Sequence, residues 1–381
     1  MTNNQKIPKI RFPEFSWEWE EKKLMDFTKI NQWLQIAISE RFTEKIPDSF
    51  FYITNEFLRE WNTWKVVTWV EGAFHNNFFK IKYDKDIISK KFLYFFLTSN
   101  KTQNKILSLA WTSTIPDLNH WDFYKLKINL PSLPEQEKIA NYLSSVEKKI
   151  ELLEEEKKNT EEYKKWVMQK IFSQELRFKD ENWEEFGEWE EKILDNIWKS
   201  YNWLTWKTSE DFWKWSPFIT YKQIFDNSKI DIKKFDFVNI TTEDKQNKAK
   251  YWDAFFTVSS ETPNEIWFSS MLLDDIDNLY LNSFCFWFRP NSLDELYPIF
   301  LRFFFRSEIF RKEVIKLAQW STRYNMSKLW FMKMKFYFPT FEEQEKIANF
   351  LSKIDDKIEF IDKKLEETKE FKKGLLQNMF V

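Results

Sequence analysis

Glycine is almost missing from this chain: 3 residues in 381, against 21 tryptophans. Ordinary domains carry about 7% glycine, because turns and close backbone approaches need it. Cysteine is also scarce. Cys285 stands alone, which excludes an intrachain disulfide and a cysteine-based zinc cluster. The two histidines, His75 and His120, leave little scope for histidine metal sites or acid–base chemistry, so no metal site is expected. No apolar run is long enough to cross a bilayer, and charged residues make up 31% of the chain. Residues 1–6 lack the charged-then-apolar pattern of a secretory signal. A cytoplasmic, reducing location with no membrane partner is expected.

The tryptophans stand where glycine makes steric sense. Asn182-Trp183, Asn202-Trp203 and Trp61-Asn-Thr-Trp64 have the form of Asn-Gly or Gly-Asn turns. The pattern predicts that most tryptophans are glycines written wrongly, as a misassigned UGA codon would produce. With only Trp19 and Trp189 kept, glycine becomes 22 of 381 residues, close to the usual share. The competing reading is a true aromatic-rich protein that stacks rings on carbohydrate.

What is present is said twice. Residues 131–172 and 339–380 align without a gap at an offset of 208, with 19 identities in 42 positions. Residues 17–24, WEWEEKKL, match 187–194, GEWEEKIL, at an offset of 170. A fixed-offset repeat sets the architecture before any single residue does. The unit is a start box, a variable body, then a long helix. The expected class is α+β: two pseudo-repeated mixed α/β bodies separated by two long helices. The boundaries are 1–130, 131–176, 177–338 and 339–381.

Both helices carry a heptad seam. In the first it runs Ile139, Leu143, Val146, Ile150 and Leu153; in the second, Ile347, Leu351, Ile354, Ile358, Ile361 and Leu365. The first seam fades at Lys157 and Thr160 and returns, shifted, at Tyr163, Val167 and Ile171. A plain dimerisation coiled coil is one reading. Two similar helices in one chain favour an intramolecular antiparallel coiled coil, each helix roughly 57 Å long. That exceeds one turn of B-DNA, about 34–36 Å, so bodies held that far apart would touch two separated half-sites. Gly374, opposite Trp166 in the repeat, lies inside the second helix and suggests close approach of another backbone.

Net charge is −2, but it is unevenly spread. Residues 28–130 hold 14 Lys and Arg against 10 Asp and Glu; residues 196–338 hold 20 against 17. The bodies are mildly basic, the right sign for phosphate, while the boxes and helices are acidic. Strands are expected near 50–54, 73–81, 125–130, 218–221, 254–259, 283–288 and 333–338, and helices over 89–99 and 298–316. The bodies end alike: Ser113-Thr114 and Ser321-Thr322 align at the 208 offset. With tryptophan read as glycine this is a Gly-rich hydroxyl loop, able to bind phosphate or merely to cap a helix. Recoded, residues 201–208 read YNGLTGKT, but no glycine lies five residues before the Gly-Lys pair, so a P-loop is rejected. No Asn-Pro-Pro or Asp-Pro-Pro methylase motif and no catalytic carboxylate pair stands out. Catalytic residues: none.

These residues resemble the specificity subunit of type I restriction–modification systems. The matching parts are the box LPSLPEQEKIANYLSSVEKKIELLEE, its second copy EEQEKIANFLSKIDDKIE, the EWEEKKL start box with its RFPEF lead-in, and the segments 177–191 and 209–225. The resemblance implies two target recognition domains, each reading half of a bipartite double-stranded DNA site. The helices would set the spacer and dock two methyltransferase subunits, and restriction subunits would join. S-adenosylmethionine, ATP and magnesium would belong to those partners, with no cofactor on this chain. DNA contacts are expected from Gln35, Ser113, Thr114 and Asn119 in the first body. In the second they are expected from Lys207, Thr208, Lys214, Tyr221, Lys222, Gln223, Ser321, Thr322 and Arg323. Against each stands an ordinary solvated surface residue. The first body is shorter: the span from Trp19 to Pro131 is well below that from Trp189 to Pro339. The rival function is a coiled-coil scaffold whose bodies bind protein or glycan.

Overall fold

The computed structural model describes residues 7–32, 52–53, 66, 73–74, 79–110, 120–205, 207–241, 243–260, 262, 265–283, 285–316, 319–320, 324–325 and 328–380. The chain forms two compact units. The first comprises Met1–Glu156 with Ile361–Val381, and the second Lys157–Phe360. Each therefore contains one part of each long helix.

The long helices are Leu133–Phe172 and Phe341–Met379, 40 and 39 residues. Pro131 and Pro339 keep the approach extended. The helices then open at repeat-equivalent hydroxyl residues. The Ser132 carbonyl accepts from the Gln136 N–H, and that of Thr340 from the Gln344 N–H, both at 2.9 Å. The Thr340 hydroxyl accepts from the Glu343 N–H, an N-cap bond that satisfies an orphan donor of the first turn.

The two helices pack together and run antiparallel. In the first unit Lys372 pairs with Glu147 at 2.7 Å and Lys369 with Glu154 at 2.6 Å, one number falling as the other rises. In the second unit Lys164 pairs with Asp355 at 2.5 Å. Seam residues Ile139, Leu143, Val146, Ile347, Leu351, Ile354 and Ile361 are buried, while Ile150, Leu153, Ile358 and Leu365 are half-buried. The fading at Thr160 has a cause in packing. Thr160 and its repeat mate Thr368 are both buried, so a small β-branched residue replaces the large apolar one. Past it Val167 and Ile171 are buried, but Tyr163 is exposed. The expected close approach at Gly374 is not found: a Cβ built there meets nothing within 4 Å. Its mate Trp166 is exposed, so neither residue lines a helix contact.

In the first unit, strand Glu20–Lys23 pairs antiparallel with Lys127–Leu130, Thr28–Gln32 pairs antiparallel with Phe79–Tyr83, and Tyr52–Ile53 runs parallel to Ala73–Phe74. Helix Lys90–Thr98 starts at Ser89, whose hydroxyl accepts from the Phe92 N–H. It turns Phe92, Leu93, Phe95 and Phe96 into a core shared with Ile139, Leu143, Leu375, Met379 and Phe380. Helices Asn100–Ala110 and His120–Tyr124 follow.

The second unit holds a four-stranded antiparallel sheet in the order Ser269–Met271, Ala254–Thr257, Cys285–Pro290, Trp198–Asn202. The strand Ala254–Thr257 is buried throughout. Successive side chains point to opposite faces of a strand. Phe256 accordingly joins the core that includes Ile347 and Leu351, and Phe255 joins a second core with Ile219, Leu272 and Trp287. A second sheet orders Asp236–Val238, Phe212–Ile219 and Tyr280–Leu281. The ribbon Glu190–Ile193 with Lys335–Phe338 closes the body. The expected single helix over 298–316 is two, Pro298–Phe304 and Glu308–Lys316. Buried Ser307 interrupts it, its hydroxyl accepting from the Phe310 N–H and starting a new helix.

Candidate nucleic-acid interface

Each body is fastened by the same clasp. In the first unit Arg11 donates to both Glu135 oxygens, at 2.7 and 2.8 Å, and to the Trp17 carbonyl at 2.6 Å. The Trp19 indole N–H donates to Glu135 at 3.3 Å. In the second, Arg177 donates to both Glu343 oxygens, at 3.2 and 2.7 Å, and to the Gly187 carbonyl at 2.7 Å. Trp189 donates to Glu343 at 3.2 Å. Both glutamates are buried. A buried carboxylate is costly unless paired and hydrogen-bonded, and here guanidinium and indole supply those partners. The bond to the glutamate raises the pKa of each arginine above the ordinary value. The next residue repeats the device. Gln136 accepts from the Ser89 N–H and donates to the Ile87 and Pro131 carbonyls. Gln344 accepts from the Tyr297 N–H and donates to the Glu295 and Pro339 carbonyls. The Glu-Gln pair of each box thus ties start box, body and helix together. Its repetition was visible in the sequence, but not its burial.

The expected DNA-contacting residues fall into three groups. Gln35, Ser113, Thr114, Asn119, Ser321, Thr322 and Arg323 lie outside the described residues, and of Lys214 only the backbone is described, in strand Phe212–Ile219. Lys207 and Gln223 are engaged within the body. Lys207 pairs with Asp244 at 2.7 Å, its side chain 8% exposed. That bond, with the N–H and hydroxyl of Thr241, lowers the Asp244 pKa to about 2. Gln223 is buried, and its amide donates to the Lys234 carbonyl. This corrects the expectation for Gln223: a side chain that anchors the turn after its own helix does not present its amide to a groove. The third group reaches the surface, with Thr208 and Lys222 exposed and Tyr221 half-buried against the core of Ile219 and Ile224. Thr208 is exposed and precedes the turn Ser209–Asp211, its hydroxyl bonded to Asp211 at 3.2 Å. Tyr221 opens helix Tyr221–Asp226 and stacks on Phe225. Lys222 on the same helix is 84% exposed and makes an i,i+4 pair with Asp226 at 2.6 Å.

Among the described residues no group of histidines, cysteines and carboxylates could hold a metal, and no helix is long and apolar enough to cross a membrane. Cys285 is buried and its thiol pKa is pushed far up by burial, which makes it a poor nucleophile.

Each unit thus carries its own body, fastened by the same clasp to a long helix. The model of the type I restriction modification DNA specificity domain matches residues 66–162 and 187–370, and the chain belongs to that family. It is similar to the type I restriction enzyme MjaVIII specificity subunit of Methanocaldococcus jannaschii, 24% identical over 421 residues, covering 98% of this chain and 94% of that protein. Its fold is similar to the solved S subunit of a type I restriction-modification system from M. genitalium: TM-score 0.55, 16% identity, 98% of this chain and 99% of that one. A chain solved in connection with complex assembly and conformational transition of the type I R-M system gives TM-score 0.52, 16% identity, 81% of this chain and 75% of that one. The protein is a DNA-recognition component and is not itself catalytic. Membership of this family does not favour the scaffold reading.

Proposed function

We propose that the chain reads a bipartite, asymmetric double-stranded DNA site, one half with the body in 1–130 and the other with the body in 177–338. Two methyltransferase subunits dock on the helices 131–176 and 339–381, and restriction subunits join them, in the cytoplasm. The partners carry S-adenosylmethionine, ATP and magnesium, and the methyltransferase flips an adenine from the duplex to reach it. The duplicated clasp is the observation that supports this most: one chain fastens two different bodies by one device. Base and phosphate contacts come from the exposed Thr208 and Lys222 and from Tyr221, with Lys214, the two Ser-Thr loops, Arg323, Gln35 and Asn119. The test is to co-express the chain with its methyltransferase subunit and map methylated adenines in the host genome. A single split motif with a fixed gap is expected. Random or absent methylation by a soluble complex would overturn the reading.

We infer further that most of the tryptophans stand for glycine, with Trp19 and Trp189 genuine. Six described non-glycine residues have positive φ, and four are tryptophans: Trp183, Trp215, Trp252 and Trp267. The left-handed region costs a side-chain-bearing residue about 1–2 kcal/mol. The indole N–H groups of Trp198, Trp267 and Trp287 are buried with no partner, a state buried tryptophan usually avoids. Among the described residues, Trp19 and Trp189 are the tryptophans that donate to the repeated glutamate. Reading the gene decides it: UGA codons at most of the other positions are expected, and UGG there would end the idea.

A further inference from the structure

A second duplicated contact lies farther along each helix. In the second unit Asp355, on the second long helix, accepts from Lys164 on the first at 2.5 Å and from Arg302 on helix Pro298–Phe304 at 2.6 Å. Arg302 also donates to the Ser228 hydroxyl at 2.8 Å. In the first unit Glu147, on the first long helix, accepts from Lys372 on the second at 2.7 Å and from the Tyr94 hydroxyl on helix Lys90–Thr98 at 3.4 Å. Every member maps on its counterpart at the 208 offset: Glu147 on Asp355, Lys164 on Lys372, Tyr94 on Arg302. In each unit one carboxylate joins three elements, both long helices and a helix of the body. The charged side chains are between 16% and 26% exposed, so solvent screens them only in part.

The place of this contact gives it a role. Glu147 follows Glu135 along its helix, and Asp355 follows Glu343, by the same step. That step is about three turns, roughly 18 Å. A body fastened only at the clasp can pivot about it. A second attachment that far along the helix fixes the angle. We propose that Glu147, Lys372 and Tyr94 in one unit, and Asp355, Lys164 and Arg302 in the other, are positioning residues. They set the angle of each recognition body on the helix pair, and through it the gap length the protein accepts between half-sites. The two are unequal. Asp355 receives a charged donor at hydrogen-bond distance, whereas the Tyr94 contact is longer than a good O–H···O bond. The second body is held more firmly than the first.

This rests on the bipartite reading, and the test separates the two. The full chain, assembled with its methyltransferase subunits, is given duplexes carrying the mapped motif with its native gap or with one base pair added or removed. Wild type is expected to prefer its native gap sharply. Asp355→Asn is expected to lower that preference about tenfold, and Glu147→Gln about threefold, with the half-site bases still read. Asp355→Glu should restore most of it, which a mere loss of stability would not produce. Should Asp355→Asn not assemble, Lys164→Met decides instead, since it removes the cross-helix partner and leaves Arg302 on Asp355. Loss of gap preference there supports the proposal. A gap preference unchanged in each variant that assembles overturns it and leaves the bipartite reading standing. A wild-type complex indifferent to the gap removes both.

Discussion

The two units share their fastenings and differ in what is fastened. Arg11, Trp19, Glu135 and Gln136 make the same bonds as Arg177, Trp189, Glu343 and Gln344. Even the ribbon entrance repeats, with the Leu24 N–H on the Leu126 carbonyl and the Leu194 N–H on that of Met334. Between these points the sequences of the bodies run apart, and the first body is much the shorter from start box to helix box. The difference is a division of labour. The frame is held by buried, mutually satisfied polar groups that tolerate little change. The bodies need only a core and an exit at the same ribbon, so their exposed faces are free to vary.

The sharpest way to break that comparison is to remove the clasp on one side. Glu343→Gln leaves the largely buried Arg177 without its carboxylate. Breaking a buried pair from one side costs about 3–5 kcal/mol. The same loss is expected for Glu135→Gln in the first unit, read by denaturant melts of both variants. A loss below about 1 kcal/mol in either would place that clasp with ordinary surface pairs.

The next test separates tryptophans within the frame from those outside it. Trp189→Gly deletes a buried ring and the donor to Glu343, and should cost about 3–5 kcal/mol. Trp183→Gly and Trp215→Gly should do the reverse. These two rings are 80% and 87% exposed, with φ of 66° and 54°. Glycine therefore relieves about 1 kcal/mol of strain or more at each. Thermal midpoints of the three single variants check this, and a fall in all three would sink the distinction.

How far the sequence showed this follows the same division. The helices, their antiparallel pairing and the closing strands were legible, because heptads and a fixed-offset repeat can be read along the chain without the tertiary fold. The break at Ser307 was missed because the apolar pattern of 298–316 runs on through it, and only the hydroxyl marks a new N-cap. The Gly374 expectation failed because a helix-interior glycine need not face a neighbour. Gln223 looked like a groove reader because its side chain can read adenine; burial depends on the tertiary fold, which periodicity does not reveal. Glu147 and Asp355 were hidden for a related reason. In sequence they are two more acids on a charged helix, and only the folded body brings Tyr94 or Arg302 to them.

A pH test weighs a part-buried pair of the second body, Lys207 with Asp244, against the frame. Asp244 sits at about 2 in the folded chain, below the usual unfolded value near 3.9. A depressed carboxylate pKa contributes stability that is fully present above the unfolded value and is lost as pH falls toward the folded one. The Asp244→Asn variant and wild type should therefore converge in stability between about pH 4 and pH 2, measured by urea melts at each pH. A difference that persists unchanged down to pH 2 would mean Lys207 does not hold this carboxylate.

The smallest stability effect belongs to Lys222, one of the residues proposed to touch DNA. Lys222 is exposed, and its pair with Asp226 is the kind worth about 0.3–0.5 kcal/mol. Lys222→Gln should hardly move the melt. Its binding signature should be clear nonetheless. If its ammonium displaces one counterion from a phosphate, the slope of log affinity against log salt falls by about 0.9, and affinity drops equally for cognate and unrelated duplexes. Titration of the assembled complex across a salt series reads both. An unchanged slope would remove Lys222 from the interface, and a loss confined to the cognate site would make it a base reader instead. Either result locates the boundary between frame and reading face, since Gln223, the next residue in the chain, is buried inside the body.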